Sequence, residues 1–228
     1  MAWRCHGTDN NSLVKKLQEN EILQSEEVST AMLAVDRGRY VDHHPYEDAP
    51  QRIGFNITIS APHMHAHALE LLKDTLKPGC RALDIGSGSG YLTVCMALMV
   101  GPSGKVVGVD HIPELVELGK KNMEQDGRTD MLESGQISMV VGDGRDGWEQ
   151  EGPYDCIHVG AAAATLPVAL VQQLKPGGKM IIPLGPEGGK QTLDLVEKDM
   201  ESKVTKTKLM GVRYVPLCEK KYQLNKLK

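Results

Sequence analysis

The sequence predicts an α/β fold, in which a doubly wound, mostly parallel sheet of seven strands follows a helical extension. From residue 81 onward, apolar runs with strand character alternate with stretches of helix character. This order is typical of a parallel sheet covered by helices on both faces. A glycine-rich turn follows the first of these strands, where the chain must turn sharply into a helix. The first eighty residues show helical spacing instead.

The length and composition are sufficient for one buried core. The chain has 228 residues, of which 40% are hydrophobic, and a chain of this size usually folds as one or two domains. Because we find no repeat, we expect a single domain over residues 1–228. Residues 1–80 form its helical extension, and residues 81–228 form the core with the C-terminal strands.

Two helices are expected at the start of the chain. Leu13 and Leu17 have helical spacing, and so do Val28, Met32 and Val35. A polar stretch separates the two patterns. We therefore expect two short helices that pack on the sheet as a lid or flank.

A loop rich in turn and aromatic residues covers positions 40–50, before an extended segment at 53–62. A third helix is expected from Pro62 through Leu72, since proline is favoured in the first turn of a helix. Ser60 stands two residues before this proline, and we expect it to cap the helix.

The core strands are predicted in chain order, with crossover helices between them. The strands are expected at residues 81–85, 106–109, 137–141, 156–159 and 180–184, and the helices at 91–100, 114–125 and 167–174. A Lys-Pro-Gly-Gly turn at 175–178 is expected to end the last helix. Two further strands are expected at 192–196 and 207–216, in a possible hairpin.

The charge and cysteine content exclude several classes of protein. The net charge of -4 argues against a nucleic-acid partner, which would need a basic surface. No run approaches the ~20 apolar residues of a membrane helix, and the start lacks the apolar stretch of a signal peptide. The five cysteines form no C-x-x-C pair, which fits reduced thiols in the cytosol. We expect a cytosolic protein.

The glycine-rich turn lies in the segment LDIGSGSG at residues 83–90. A dinucleotide site uses G-x-G-x-x-G, whose third glycine lets a pyrophosphate approach the helix start. Tyr91 occupies that third position. The turn therefore indicates a nucleoside cofactor without a seated phosphate, and it disfavours a nicotinamide-dependent oxidoreductase.

Three aspartates lie at or near the ends of successive strands, at Asp84, Asp110 and Asp143. The carboxyl ends of parallel strands meet at one edge of a sheet, so we expect these aspartates to face one cleft. A carboxylate can accept hydrogen bonds from an ammonium group, a ribose diol or an adenine amine. S-adenosyl-L-methionine carries all three groups and no phosphate. The alternative is that each aspartate caps a helix or a turn.

The chain resembles the class I S-adenosylmethionine-dependent methyltransferases, which have a Rossmann-like sheet. The resemblance extends to the protein-L-isoaspartate (D-aspartate) O-methyltransferase family through TISAPHMHA at 58–66, VGDG at 141–144 and IHVGAAA at 157–163. It implies methyl transfer to the free carboxylate of L-isoaspartyl residues in damaged proteins and peptides, with S-adenosyl-L-homocysteine as the product. D-aspartyl substrates stay open. A monomer is expected.

The resemblance also implies roles for individual residues. Ser60 is the active-site residue of the family motif. The cofactor-binding set, together with the glycine turn, comprises Ile57, Thr58, Ile59, Ser60, His65, Asp84, Gly86, Gly88, Ser89, Asp110, His111, Gly142, Asp143 and Cys218. Cys218 departs from the threonine usual in the family, so its contact is expected to be weaker or made by the backbone.

Other readings of these motifs stay open. His63, His65 and His67 could bind a metal on a strand, but on a helix His65 points away from the other two, and no metal is expected. His158 is expected to be a hydrogen-bonded residue rather than a catalytic base. A different methyl acceptor, or a binding protein without activity, is the remaining alternative.

Overall fold

The computed structural model describes residues 5–225, and residues 1–4 and 226–228 lie outside it. The helices are α1 (Asn10–Glu19), α2 (Glu26–Ala34), α3 (Pro62–Leu72), α4 (Tyr91–Val100), α5 (Pro113–Gln125), α6 (Thr129–Glu133), α7 (Val168–Gln173) and α8 (Lys220–Asn225). The strands are β1 (Gln51–Gly54), β2 (Ile57–Ile59), β3 (Arg81–Ile85), β4 (Lys105–Asp110), β5 (Ile137–Val141), β6 (Tyr154–Val159), β7 (Leu174–Leu184), β8 (Gln191–Lys198) and β9 (Val204–Val212).

Seven strands form one sheet in the order β5-β4-β3-β6-β7-β8-β9. Strands β3 to β7 are mutually parallel, whereas β8 runs antiparallel to both of its neighbours. The predicted fold class is therefore confirmed, and the last two strands pair as expected. The chain leaves β3 in one direction and later returns to its other side with β6. This reversal opens a crevice at the carboxyl ends of the central strands, where α/β sheets bind ligands.

Each central strand contributes side chains to two hydrophobic clusters, because successive residues of a strand point to opposite faces. In β3, Ala82 belongs to one cluster and Leu83 to the other. In β4, Val106 and Val107 alternate in the same way. These strands are buried on both faces, which explains their continuous apolar sequence.

The N-terminal helices pack directly on the rest of the fold. Helix α2 contacts α3 and α4, and Leu13, Leu17 and Met32 belong to the same buried cluster as Ala82. A capping box starts α1, in which Asp9 Oδ1 accepts a hydrogen bond from the Ser12 amide at 2.7 Å. The extension shares a hydrophobic core with one face of the sheet.

Two predicted boundaries are wrong. Strand β7 begins at Leu174, and the expected turn at 175–178 lies inside it as an irregularity. Tyr154 pairs with Leu174 while Cys156 pairs with Lys179, so the extra residues bulge out around Gly177, whose φ is 80°. Strand β9 ends at Val212 rather than 216. The chain leaves the sheet there and crosses its carboxyl edge.

Strands β1 and β2 form a small antiparallel hairpin outside the main sheet. Its two turn residues, Phe55 and Asn56, have φ values of 52° and 56°, the left-handed conformation that a tight two-residue hairpin turn requires. Within residues 5–225, no helix is long and apolar enough to span a bilayer.

Candidate active site

A cavity opens at the carboxyl ends of the central strands. Its wall is formed by the β1–β2 hairpin, the β2–α3 junction, the glycine turn, the end of β4 and the segment 215–223. Twelve of the predicted cofactor residues line it: Ile57, Thr58, Ile59, Ser60, His65, Asp84, Gly86, Gly88, Ser89, Asp110, His111 and Cys218. These residues come from distant parts of the sequence, and the sheet brings them together.

The glycine turn forms one wall of the cavity and keeps the start of α4 close to α5. Gly90 has a φ of 85°, and a Cβ at this position would lie 2.7 Å from Met123 Cε and 3.3 Å from the carbonyl oxygen of Gly119. A side chain would therefore strain the backbone and collide with α5. The turn places the start of the following helix, at Tyr91, in the wall of the cavity.

Asp84 is buried at the end of β3 and is held by two protein side chains. Its Oδ1 lies 2.8 Å from His158 Nδ1, and its Oδ2 accepts a hydrogen bond from Thr93 Oγ1 at 2.6 Å. Asp84 and His158 are register partners on neighbouring strands, which explains their contact. The expectation that His158 is hydrogen-bonded is confirmed. Each Asp84 oxygen keeps one further lone pair for a ligand.

Asp110 is the second predicted carboxylate in the cavity wall. It accepts hydrogen bonds from the backbone amides of Gly88 at 3.2 Å and Ile112 at 3.0 Å. Burial raises the pKa of Asp110, although these two amides oppose the rise. The two bonds fix the carboxylate while leaving acceptor sites for hydroxyl groups.

Asp143 is not brought to the cavity in this structure. Its carboxylate accepts hydrogen bonds from Arg145 Nε at 3.0 Å and from Arg145 Nη2 at 2.6 Å, and the Arg145 hydrogen bonds lower the pKa of Asp143. Gly142 and Asp143 are absent from the described cavity wall, whereas their neighbour Gly144 is in it. The expectation that three aspartates face one cleft is correct for two of them.

Ser60 lies at the end of β2, where the hairpin passes into α3. The capping expectation is wrong, because the N-cap residue is Ala61 and no side chain caps this helix. The Ser60 side chain faces Tyr214 instead: burial raises the pKa of Tyr214 to about 12, and a hydrogen-bonding interaction with Ser60 opposes the rise. Ser60 also lines the cavity, so a ligand there can contact it.

Arg37 stands behind this junction and was not predicted from the sequence. It is fully buried, and its Nη2 donates a hydrogen bond to the carbonyl oxygen of Ser60 at 2.7 Å. Its Nη1 lies 3.2 Å from His65 Nδ1, and its guanidinium lies 5.3 Å from the centre of the Tyr91 ring. The local sequence DRGR at residues 36–39 is typical of an exposed turn, so no sequence pattern indicates that Arg37 is buried beside the site.

The segment 215–223 covers the cavity from the C-terminal side. His111 Nδ1 donates to the carbonyl oxygen of Cys218 at 3.0 Å, and Gln223 Nε2 donates to the carbonyl oxygen of Phe55 at 2.8 Å. The segment is therefore tied to both β4 and the hairpin. The Cys218 contact to His111 runs through the backbone, so it does not depend on the thiol.

The three neighbouring histidines of α3 separate. His65 faces the cofactor cavity, whereas His63 and His67 line a different hollow beside Glu70. His63 Nδ1 lies 2.7 Å from the buried carboxylate of Asp48. Among residues 5–225, no group of three or more potential metal ligands is assembled.

The polar groups of the cavity suit S-adenosylmethionine. Asp110 offers acceptors for a ribose diol, and the Asp84 carboxylate can receive an ammonium group. Ser87 Oγ is buried in the cavity wall without a hydrogen-bond partner among the described residues. A buried hydroxyl in that state favours a ligand that supplies the missing bond.

An open groove adjoins the cavity. The two share several wall residues, among them Thr58, Ser60 and Gly160. The groove continues past Tyr214 toward the exposed cation Arg213. Ser60 thus lies where the cavity meets the open groove.

Known proteins are similar to this chain in both sequence and architecture. A family model described as protein-L-isoaspartate(D-aspartate) O-methyltransferase matches residues 8–222. A protein-L-isoaspartate O-methyltransferase of Caenorhabditis elegans is 47% identical over 226 residues, covering 99% of this chain and 100% of the relative. Protein-L-isoaspartate O-methyltransferase 1 of Arabidopsis thaliana is 50% identical over 217 residues, or 94% of each chain.

A solved structure extends the likeness to the fold. The crystal structure of a beta-aspartate methyltransferase from Plasmodium falciparum, in complex with S-adenosyl-L-homocysteine, superimposes with a TM-score of 0.86 at 37% identity. It covers 93% of this chain and 100% of that chain. From the family model, the relatives and the shared fold together, the chain belongs to the protein-L-isoaspartate(D-aspartate) O-methyltransferase family.

Proposed function

We propose that the chain transfers the methyl group of S-adenosyl-L-methionine to the free carboxylate of L-isoaspartyl residues in damaged proteins and peptides, the first step of their repair. The observation that carries this proposal is the position of Ser60, which lines both the cofactor cavity and the adjoining groove. A donor in the cavity and an acceptor in the groove would meet at this residue. D-aspartyl residues are a second acceptor in this proposal.

The acceptor needs little chemical activation. A carboxylate of the aspartyl type has a pKa of about 3.9, so it is already an anion at neutral pH and can attack without a general base. The protein must orient the reactants and exclude water, and orientation can contribute ~7 to 11 kcal/mol. Ser60, a neutral hydroxyl that can orient the carboxylate without removing a proton from it, fits this requirement.

S-adenosylmethionine supplies an electrophilic sulfonium methyl group when it is bound. Asp110 and His111 would hold its nucleoside part, while Asp84 and the glycine turn would hold its amino-acid part. Asp143 does not line the cavity in this structure, so it would contact the adenine amine only after its carboxylate released Arg145 and turned toward the cavity. Ser60 would donate its hydroxyl to the acceptor carboxylate and orient it.

We further propose that the protein acts as a monomer in the cytosol, without nucleic-acid or membrane partners. The acidic net charge of -4 supports this proposal. The hydrophobic cluster shared by the extension and the sheet supports a single folding unit over the whole chain. Sedimentation analysis of the purified protein tests the monomer.

A peptide pair tests the proposed reaction. Purified protein with labelled S-adenosylmethionine is expected to methylate an L-isoaspartyl peptide and to leave the otherwise identical L-aspartyl peptide unlabelled. The same comparison with a D-aspartyl peptide tests the second acceptor. Equal labelling of the L-isoaspartyl and L-aspartyl peptides, or labelling of neither, would contradict the proposal.

A further inference from the structure

Arg37 is a buried cation that no carboxylate neutralises directly. No ion pair within 4.0 Å involves it among the residues that the structure describes, and its Nε is buried without a hydrogen-bond partner there. Its remaining contacts are the carbonyl oxygen of Ser60, the imidazole of His65 and the face of Tyr91. Burying a charge in this way is costly, and two of these three contacts are with residues of the cavity junction, Ser60 and His65.

The contact with Arg37 determines which nitrogen of His65 carries the proton. A guanidinium has only hydrogen-bond donors, so His65 Nδ1, 3.2 Å away, must act as the acceptor. A neutral imidazole then carries its proton on Nε2. Burial, followed by the charge of Arg37, lowers the pKa of His65 well below its usual value, so the ring stays neutral.

The other nitrogen of His65, Nε2, is left for a ligand in the cavity. His65 is 6% exposed and lines the cavity. Within residues 5–225 its Nε2 has no hydrogen-bond partner, and it is not among the fully buried unpaired atoms, so it opens onto the cavity space. An N–H group in that position binds an acceptor, and the methionine carboxylate is the anionic group of S-adenosylmethionine.

We propose that Arg37 is a positioning residue for methyl transfer, which holds His65 as the Nε2–H tautomer that donates to the cofactor carboxylate and fixes the Ser60 carbonyl with its other arm. The Arg37 side chain thereby holds both His65, which contacts the cofactor, and Ser60, which binds the acceptor. The inference rests on the proposed function of the cavity.

The tautomer can be measured directly in the ligand-free protein. Long-range proton–nitrogen correlation spectra of 15N-histidine-labelled protein at pH 7 are expected to show His65 protonated on Nε2 alone. The Arg37→Met variant is expected to show a mixture of the two tautomers. A proton on Nδ1 in the wild type, or an imidazolium ring, would overturn the proposal.

Two substitutions of His65 separate its two contacts. The amide of His65→Gln can place a donor near the Nε2 position, whereas the shorter His65→Asn can reach only the Arg37 side. By calorimetry, His65→Gln is expected to bind S-adenosylhomocysteine within about threefold of wild type, and His65→Asn about 10- to 100-fold more weakly. The reverse order of affinities would contradict the assignment of a donor at Nε2.

Arg37 variants test the coupling, with Arg128→Met as the matched control. Arg128 also holds a backbone carbonyl of the N-terminal flank, that of Ala34, but it lies outside the cavity wall. Both Met variants are expected to lose stability, and only Arg37→Met is expected to change the His65 spectrum and to raise the KM for the donor. Arg37→Lys is expected to restore the tautomer in part. A spectrum unchanged in a folded Arg37→Met protein would refute the inference.

These outcomes are distinct from a failure of the proposed reaction. If wild-type protein binds no S-adenosylhomocysteine and methylates no isoaspartyl peptide, the proposed function is wrong. If it does both and His65 carries its proton on Nδ1, only the role of Arg37 is wrong.

Discussion

At the scale of single residues, the site depends on buried polar groups whose hydrogen-bond partners are fixed. Asp84 and Asp110 each have a protein donor on both oxygens, so their side chains cannot rotate when a ligand arrives. Ligand binding then requires little reorganisation of these groups, and preorganised sites lose less free energy on binding.

The first prediction at this scale concerns Ser60. Because Ser60 caps no helix and Ser60→Ala loses its interaction with Tyr214, the substitution is expected to lower the free energy of unfolding by at most about 1 kcal/mol. Loss of its hydroxyl is expected to lower kcat about 10- to 100-fold through one lost charge-assisted hydrogen bond, with little change in the Kd for S-adenosylhomocysteine. Initial rates, calorimetry and urea unfolding measure the three quantities.

Ser103→Ala is the control for this substitution. Ser103 is exposed in the turn before β4, at the opposite end of the strand from the cavity. A Ser60→Ala protein with full activity and lowered stability would show that the serine has only a structural role.

The second prediction is a pH dependence of stability caused by His65. Its pKa is about 6.5 in the unfolded chain and well below that in the fold, because burial and then the charge of Arg37 disfavour the imidazolium form. As the pH falls below 6.5, the unfolded state gains a proton that the folded state does not, so the free energy of unfolding decreases by up to ~1.4 kcal/mol per pH unit.

The comparison with His65→Gln isolates this contribution. Urea unfolding of both proteins at pH 7.5 and pH 5.5 is expected to show a larger loss in the wild type, because glutamine does not titrate. An equal loss in both proteins would mean that other groups cause the dependence.

Residue positions at strand ends could be predicted, but side-chain pairing across the fold could not. Asp84 and Asp110 end or lie near the end of central strands, so their place in the cavity follows from the order of the strands. Asp143 follows a strand as well, yet its carboxylate pairs with Arg145 two residues later. No sequence pattern indicated the role of Arg37, because its partners Ser60 and His65 are distant in sequence.

At the scale of elements, the cavity is closed by two pieces that do not belong to the main sheet. The β1–β2 hairpin meets segment 215–223 through the bond between Gln223 and the carbonyl oxygen of Phe55. Gln223 is 3% exposed, so solvent competes little for this bond. A cofactor in the cavity would lie beneath the contact.

This geometry predicts that Gln223 controls release of the cofactor product. Gln223→Ala removes the donor to Phe55, and the dissociation rate of S-adenosylhomocysteine is expected to rise about threefold to tenfold. Stopped-flow displacement of a fluorescent analogue measures the rate. Gln172→Ala on the exposed side of α7 is the control, and equal rates for both variants would exclude a closing role for the contact.

Element types followed from sequence periodicity, and the errors lie where local signals conflict with sheet pairing. Lys-Pro-Gly-Gly at 175–178 has the composition of a turn, but Leu174 before it still pairs with Tyr154. Sheet pairing therefore overrides the local preference and converts the expected turn into a bulge. The helix α4, by contrast, was predicted with its observed bounds because its apolar run lies between glycines.

At the scale of the whole molecule, the extension and the sheet are stabilised by one cluster of apolar side chains. Leu17 of α1 is fully buried in this cluster. Leu17→Ala is expected to lower the free energy of unfolding by about 2 to 5 kcal/mol. Because the core is shared, the loss should affect the entire chain and not the extension alone.

Two probes of unfolding test this expectation. In a Trp3→Phe background, the fluorescence of Trp148 reports on the opposite sheet face, where it packs, and far-UV circular dichroism reports on all helices. Leu17→Ala is expected to shift both transitions equally. Separate midpoints for the two probes would show that the extension unfolds independently.

The closing segment also has a consequence for synthesis of the chain. The glycine turn and Asp110 are synthesised about a hundred residues before the segment 215–223, so the wall of the cavity lacks its C-terminal side until that segment follows. A nascent chain can form its central strands early and still has no complete donor site. We therefore expect a chain truncated before Val215 to bind the methyl donor more weakly even if its sheet assembles, because one wall of the cavity is missing.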